Sequence, residues 1–541
     1  RFLVRMEEVT DRIAAGETAA QIVEKAKAEG TGYKASVEQM YYGNQQFLFV
    51  YEQFDDVRLV AAPPSSIGKF GGDTDNWIWP RHTGDFSMFR VYASKDNRPA
   101  AYSPQNVPYR PKKHFSISTK GVKEGDFTMI YGFPGNTQEY ILSDAVAYIA
   151  ERSDPAKIAI RTGRLDIITK AQESDPALRI HYAAKHASIA NAWKKWQGEA
   201  LGIDRRGTVA AKFDYETQFG LWSVGRPEYA GVVMGLRVEY DRIMDAYFAY
   251  EITRETLSTL PAAYTPEERA EECFARRKFA EQALWRHAFR EYGRCPKVYR
   301  TPSYAEGMAR YKSPEAYADA LFEAVWEGSD SVAMQPAVRL REETKRMLDH
   351  ISWMLGTKSL RNLNSKILNE LYTTYIKGLR EWDRERAFYP DANLTLRVAY
   401  GSVAGYEYAD GEYHKPQTTL DGIIAKDNPE IYDYDIPQSL RDLYASKNYG
   451  RWGTVIDGRR TVPVCFLATN HTTGGNSGSP VLNAGGELIG INFDRTWRST
   501  MSDIAFDPAI CRNIAVDIRY VLFVVDRVGG AGYLLKEMTL K

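Results

Sequence analysis

The chain has 541 residues, with 70 Lys and Arg residues balanced by 70 Asp and Glu residues and a formal net charge of zero. This length exceeds one hydrophobic core and predicts two or three domains. The balanced charge, without a basic run, argues against a nucleic-acid partner, and no apolar stretch approaches the roughly 18 residues of a membrane span. Four widely spaced cysteines without a C-x-x-C motif are compatible with disulfides or with buried thiols, and no metal or organic cofactor is expected.

Residues 1–138 are predicted to form mostly β-structure. Runs rich in branched and aromatic side chains predict strands at 47–51, 57–60 and 127–131. One helix is predicted at about 11–30, where Ala, Glu and Lys dominate the sequence.

Between residues 139 and 393 the hydrophobic period becomes helical. Apolar residues recur there at spacings of three, four and seven, as at Leu178, Tyr182, Ile189, Trp193 and Trp196. Long helices are predicted at 238–257, 266–292, 314–326, 338–354 and 363–388. After residue 394 the strand pattern returns, at 394–398, 462–468, 480–483 and 488–493.

The segment Gly474-Gly475-Asn476-Ser477-Gly478-Ser479-Pro480 predicts a nucleophilic serine. Small residues turn sharply around Ser477, as in trypsin-like serine peptidases, and the N–H groups of Gly475 and Ser477 can point at one oxyanion. The competing G-x-S-x-G signature does not fit because residue 479 is Ser. The alternative interpretation is a surface turn built from Gly, Ser and Asn.

Asp85 is the candidate triad aspartate, because it opens a strand-like run and precedes Ser477 in the expected order His, Asp, Ser. The alternative for this residue is an ordinary turn position. Of the eight histidines only His82 precedes Asp85, three residues away, and His471 would be in the wrong order. The chain begins with Arg, so we expect that an N-terminal part carrying the catalytic histidine is missing. Without that base the chain alone should lose on the order of 10⁶-fold in turnover.

Asp85 and Ser477 fall in two β-rich segments that a helical block separates. A trypsin-like peptidase needs both segments in contact. The expected organisation is therefore a multidomain α+β chain. Residues 1–138 and 394–541 form the two parts of one peptidase domain, and residues 139–393 form an inserted α-helical domain over the cleft.

Two long motifs resemble the S46 family of bacterial dipeptidyl-peptidases. One is the segment 64–85, with Pro-Ser-Ser-Ile-Gly-Lys-Phe-Gly-Gly-Asp-Thr-Asp-Asn-Trp followed by Trp-Pro-Arg-His-Thr-Gly-Asp, and the other is the turn 474–480. The resemblance implies a chymotrypsin-like double β-barrel with an inserted helical domain. It also implies a homodimer that removes dipeptides from free N-termini in the periplasm or at the cell surface of a Gram-negative bacterium.

The resemblance further implies roles for individual residues. Asp85 and Ser477 match the triad aspartate and serine, whereas the family's Thr-Asn-His-His-Cys segment is not in this chain. Residues that match those binding the substrate's N-terminus are Asn76, Trp77, Arg81, Asn191 and Asp494. Without the resemblance, the alternative interpretations are a solvated helix position for Asn191, core packing for Trp77 and a surface ion pair for Arg81. His471 and Thr472 depart from the Asp-Ile expected before the glycines.

Arg495 is expected to set specificity in the S1 pocket. It ends the strand segment 490–495, where trypsin-like enzymes build one wall of that pocket, and a planar cation there should attract Asp or Glu at P1. Within the family an arginine here is typical of the acidic-specific dipeptidyl-peptidases 11, and glycine of the broad dipeptidyl-peptidases 7. The alternatives are an Arg495–Asp494 pair, a broad hydrophobic P1 preference, or a peptide-binding homologue without catalysis.

Overall fold

The computed structural model describes residues 1–30, 32–328, 331–357 and 362–541. Their contacts divide them into two units. The β-rich unit comprises residues 1–140 and 385–541, and the helical unit comprises residues 141–384. The prediction of a mixed α+β chain with a large helical region is confirmed.

All strands of the described residues lie in the β-rich unit. They are β1 (Phe2–Glu8), β2 (Tyr33–Met40), β3 (Gln45–Glu52), β4 (Val57–Ala61), β5 (Met88–Ala93), β6 (Val107–Pro108), β7 (Phe127–Gly132), β8 (Arg397–Ser402), β9 (Tyr406–Ala409), β10 (Glu412–His414), β11 (Gln417–Thr419), β12 (Thr454–Ile456), β13 (Arg459–Thr461), β14 (Pro463–Ala468), β15 (Ser479–Leu482), β16 (Leu488–Arg495) and β17 (Asn513–Asp517).

The helices of the described residues occur in both units. They are α1 (Thr10–Ala14), α2 (Ala19–Ala28), α3 (Ser65–Gly68), α4 (Ser143–Ala147), α5 (Asp154–Ser174), α6 (Pro176–Arg205), α7 (Thr208–Ser223), α8 (Val232–Glu255), α9 (Pro266–Ala270), α10 (Lys278–Tyr292), α11 (Pro302–Tyr311), α12 (Pro314–Glu327), α13 (Ser331–Met354), α14 (Lys366–Trp382), α15 (Leu420–Lys426), α16 (Gln438–Ser446) and α17 (Ile518–Phe523).

The main sheet of the β-rich unit has seven antiparallel strands in the order β11-β14-β17-β16-β15-β7-β8. An additional antiparallel bridge joins Val403, just after β8, to Ala468 at the end of β14. One small core collects buried residues from these strands and their immediate neighbours, among them Ile130, Val403, Phe466, Val481, Ile489 and Ala515. Residues of the strands from β14 to β8 thus contribute to one shared core.

Two smaller three-stranded sheets, β1-β3-β2 and β4-β5-β6, complete the first part of the β-rich unit. The helix predicted at 11–30 is two helices, α1 and α2, because Gly16 adopts a left-handed φ of +99° between them. Thr18 then starts α2 with a reciprocal capping box to Gln21.

The helical unit follows its hydrophobic pattern closely. Leu178, Tyr182 and Ile189 lie on one face of α6, buried in a core with α5 and α10. The segment predicted as one helix at 266–292 is two, α9 and α10. No helix of the described residues is long and apolar enough to cross a membrane. All four cysteines are buried free thiols.

Candidate active site

The turn around Ser477 depends on glycine. Gly475 has a φ of +105°, and a Cβ atom there would lie 2.3 Å from the carbonyl oxygen of Phe133. Gly478 also lies in the left-handed region, at +84°. Side chains at these two positions would strain or block the turn. The Gly135 N–H donates to the Gly474 carbonyl at 2.6 Å and fixes the turn against the end of β7.

Ser477 is exposed at the tip of this turn, and its hydroxyl donates to the Phe493 carbonyl at 3.1 Å. The next residue anchors the turn to β16, since the Gly478 N–H donates to the Asn492 carbonyl at 2.7 Å. Among the described residues, neither the Gly475 N–H nor the Ser477 N–H donates to a protein acceptor. Two backbone donors beside an exposed hydroxyl are therefore available to a ligand.

The segment before Asp85 is irregular but firmly anchored. Ile67, Phe70 and Trp79 are buried in a large core of the β-rich unit, together with residues of β14 and β17. Trp77 adopts a left-handed φ of +67°, which costs a non-glycine residue about 1–3 kcal/mol. Two contacts hold it there: its N–H donates to Asp494 Oδ2 at 3.2 Å, and its carbonyl accepts from the Trp497 N–H at 2.6 Å.

Arg81 and Asp494 form a buried ion pair. Arg81 Nη1 lies 2.7 Å from Asp494 Oδ2, and the two side chains are only 8% and 10% exposed. The same guanidinium donates to Thr83 Oγ1 and to the Asp75 carbonyl. The alternative that Arg81 makes a surface ion pair is therefore wrong, because its charge is removed from water.

Asp85 is exposed and forms no hydrogen bond or ion pair within the described part of the chain. Its pKa is raised above the ordinary aspartate value, mainly because neighbouring protein atoms displace water from the carboxylate. Arg81 opposes this rise and Asp494 adds to it. Asp85 thus lies within electrostatic range of the Arg81–Asp494 pair.

Arg495 does not pair with the Asp494 side chain. Its guanidinium makes a bidentate ion pair with Asp503, at 2.6 Å from Nη1 to Oδ1 and 2.8 Å from Nη2 to Oδ2. Only its backbone N–H meets Asp494, at Oδ1 and 2.8 Å. The interpretation that Arg495 pairs with the adjacent acid is thus wrong. The guanidinium also lies 5.6 Å from the ring of Trp77.

His82 and His471 are both mostly buried. Burial lowers the pKa of His82 to about 3, with Lys426 and Arg81 adding to the effect, and lowers the pKa of His471 to about 4. The His471 ring contacts the Ser502 carbonyl and Glu139. No histidine of the described residues is hydrogen-bonded to Ser477 or Asp85.

The structure therefore brings Trp77, Arg81, Asp494 and Arg495 into one connected group in the β-rich unit, with Asn76 adjacent to Trp77. Asn191 lies in the helical unit, exposed on α6. Sequence reasoning missed Asp503, the partner of Arg495, and the Phe493 carbonyl that accepts from Ser477. An acid eight residues after Arg495 was the available signal for Asp503.

One group of potential metal ligands occurs among the described residues, in the helical unit. Donor atoms of His181, Glu271 and Cys273 lie within 4.8 Å of one another. However, Arg277 Nη1 donates to His181 Nε2 at 2.6 Å and to Glu271 at 3.3 Å. A guanidinium that already bonds two of the three ligands makes this a poor cation site.

The chain matches known proteins over nearly its whole length. An Asp/Glu-specific dipeptidyl-peptidase of Capnocytophaga gingivalis is 41% identical over 599 residues, covering 100% of this chain and 83% of the relative. A protein of the same description from Flavobacterium psychrophilum is 43% identical, covering 93% of this chain and 75% of the relative. The crystal structure of Porphyromonas endodontalis DPP11 with the dipeptide Arg-Glu superposes with a TM-score of 0.84 at 32% identity, covering 100% of this chain and 85% of that one. The family model described as Peptidase S46 matches residues 2–265 and 264–540. The chain belongs to the peptidase S46 family.

Proposed function

We propose that the protein is a serine dipeptidyl aminopeptidase that releases N-terminal dipeptides with Asp or Glu at P1. The observation that carries the proposal is the turn at Ser477. Its hydroxyl is exposed, and the two adjacent N–H groups, those of Gly475 and Ser477, donate to no acceptor among the described residues. This arrangement suits a serine that attacks a peptide carbonyl while backbone donors stabilise the oxyanion.

In the proposed reaction the Ser477 hydroxyl leaves the Phe493 carbonyl and attacks the scissile carbon. A histidine must take its proton, and Asp85 would orient that histidine. The exposed Asp85 carboxylate, without a hydrogen bond to any described residue, is accessible for this role. Since no described histidine contacts Ser477, the activity is tested in the full-length protein.

The main sheet supports a chymotrypsin-like barrel. The Val403–Ala468 bridge closes the ring of strands from β14 to β8, and the shared interior core is what a closed barrel requires. In the proposed enzyme this barrel carries Ser477 and Arg495. The double-barrel arrangement, the homodimer and the location in the periplasm or at the cell surface are parts of the same proposal.

Recognition of the substrate's N-terminus is assigned to Asn76, Trp77, Arg81, Asn191 and Asp494. A buried carboxylate without a cation would be costly, and Arg81 supplies Asp494 with a counter-ion between substrates. The incoming ammonium would then share a carboxylate that Arg81 has already oriented. Charge-assisted hydrogen bonds of this kind are worth roughly 1.5–3 kcal/mol each.

The acidic P1 preference is assigned to Arg495. The relatives named Asp/Glu-specific dipeptidyl-peptidase support it, as does the buried position of the guanidinium beside Trp77. One observation favours a second candidate, a broad hydrophobic P1 preference: Asp503 already neutralises Arg495. The two candidates differ in whether Arg495 is the main contact of the P1 side chain.

The test compares kcat/KM of the full-length protein on fluorogenic dipeptides with a free amine and Asp, Glu, Leu or Arg at P1. We expect a preference of at least tenfold for Asp and Glu, lost in Arg495→Gly and kept in the matched charge-removing variant Arg498→Ala. Ser477→Ala should abolish turnover of all four substrates. A preference for Leu would select the broad-specificity candidate, and no turnover by a folded protein would refute the peptidase.

A further inference from the structure

The Arg495–Asp503 ion pair is as buried as the Arg81–Asp494 pair beside it. Arg495 is only 4% exposed, and its Nη1 also donates to the Thr472 carbonyl at 3.1 Å and to Ser502 Oγ at 2.8 Å. The Asp503 side chain is 14% exposed. Each arginine of the site therefore has its own carboxylate, and neither acid is shared between the two guanidinium groups.

The backbone fixes Asp503 in this position. It ends the short 3-10 helix Trp497–Asp503 that follows β16. Its carbonyl accepts the Gln138 N–H at 2.6 Å, which ties it to the segment after β7. The helical segment after β16 and the segment after β7 therefore fix the backbone of Asp503, and its carboxylate pairs with Arg495.

A counter-ion at this place changes what an acidic substrate meets. A buried guanidinium alone would be strongly unfavourable, and Asp503 removes that cost when the pocket is empty. When a P1 carboxylate binds, however, it and Asp503 both interact with the Arg495 guanidinium, and the two carboxylates repel each other. A neutral P1 side chain adds no third charge and is not affected by this repulsion.

We propose that Asp503 is a positioning residue that sets the acid-over-neutral P1 ratio through its charge on Arg495. The inference rests on the proposed function, because it assumes that Arg495 faces the P1 side chain. Under this inference, the charge of Asp503 stabilises the empty pocket and lowers its affinity for Asp and Glu at P1.

The test uses the full-length protein with Asp503→Asn and, as a matched control, Asp507→Asn. Asp507 caps its own turn by accepting the Ala509 N–H at 2.9 Å. In Asp503→Asn we expect KM to fall about tenfold for P1 Asp and Glu, with kcat within about twofold and no change for P1 Leu. Asp503→Glu, which keeps the charge, should behave like the wild type, and so should Asp507→Asn.

Equal changes for acidic and neutral substrates, or an unchanged ratio, would overturn the inference. If Asp503→Asn does not fold, the variant Arg495→Gly is compared with the double variant Arg495→Gly/Asp503→Asn. The Asp-to-Leu ratio of kcat/KM should then be higher in the double variant, where no anion repels P1 Asp, and equal ratios would refute the role of the charge.

The experiment distinguishes a failure of the inference about Asp503 from a failure of the proposed function. A wild-type enzyme that prefers Leu at P1 would refute the acidic specificity itself. A wild-type enzyme that prefers Asp and Glu, but whose preference Asp503→Asn leaves unchanged, would refute only the inference about Asp503.

Discussion

An ion pair of the β-rich unit and one of the helical unit differ strongly in burial. In the β-rich unit Arg81 and Asp494, 413 positions apart, meet in a buried pair at the site. In the helical unit the pair Arg339–Glu306 joins α13 to α11 at the surface, with side chains 53% and 62% exposed. The first pair is removed from water and costs desolvation, whereas the second remains solvated. The expected effects of removing a charge should differ accordingly.

The largest effect is expected from breaking the buried pair. Asp494→Asn leaves the Arg81 guanidinium without its counter-ion and weakens the support for the strained Trp77 backbone. We expect a loss of about 3–5 kcal/mol in the free energy of unfolding. Urea denaturation of the variant and the wild type measures this loss.

Glu306→Gln is the matched control in the helical unit. It breaks an exposed pair of similar length, at 3.0 Å, and should cost less than about 0.5 kcal/mol. Equal losses in the two variants would show that burial does not distinguish the two regions.

Two buried groups, one in each unit, should respond to acid with opposite signs. Burial lowers the pKa of His82 to about 3, below the unfolded value, so the unfolded state binds a proton first. This contribution to stability is complete above about pH 6.5 and declines as the pH falls, by up to about 1.4 kcal/mol per unit. Burial instead raises the pKa of Asp154, in the helical unit, against the attraction of Lys157. Its contribution is present below the unfolded aspartate pKa and declines as the pH rises.

Urea unfolding between pH 4.5 and 6.5 measures both contributions. His82→Asn should flatten the decline in stability towards acid, and Asp154→Asn should steepen it. The paired acids Asp56 and Glu17, whose pKa values are lowered to about 2 by Arg58 and Arg12, lose their contributions mainly below this window. A steeper decline in His82→Asn would contradict the assignment of a buried neutral imidazole.

The same contrast explains what could be predicted from the sequence. Helices such as α8 and α12 were predictable because their apolar period is local, and the tight turn around Ser477 was predictable because it is rich in glycine. The pairing of Arg495 with Asp503 was not, because it depends on where the short 3-10 helix after β16 places the Asp503 side chain. The resemblance pointed to Arg81 and Asp494 individually, but only the folded chain shows that they bond each other.

The smallest effect is expected at Asn191, the one proposed substrate-binding residue in the helical unit. It is exposed on α6, so Asn191→Ala should leave the free energy of unfolding within about 0.5 kcal/mol of the wild type. If its side chain binds the substrate's ammonium, KM should rise about three- to tenfold with kcat nearly unchanged, because the contact is made equally in the ground state and the transition state.

Asn369→Ala, at an exposed position of α14, is the matched control and should leave both constants unchanged. The comparison isolates a single contact, since both variants remove an exposed helical amide from the same unit. A rise in KM confined to Asn191→Ala would mean that the helical unit contributes directly to substrate binding. Unchanged kinetics in both variants would confine recognition of the N-terminus to the β-rich unit, where Trp77, Arg81 and Asp494 already lie together.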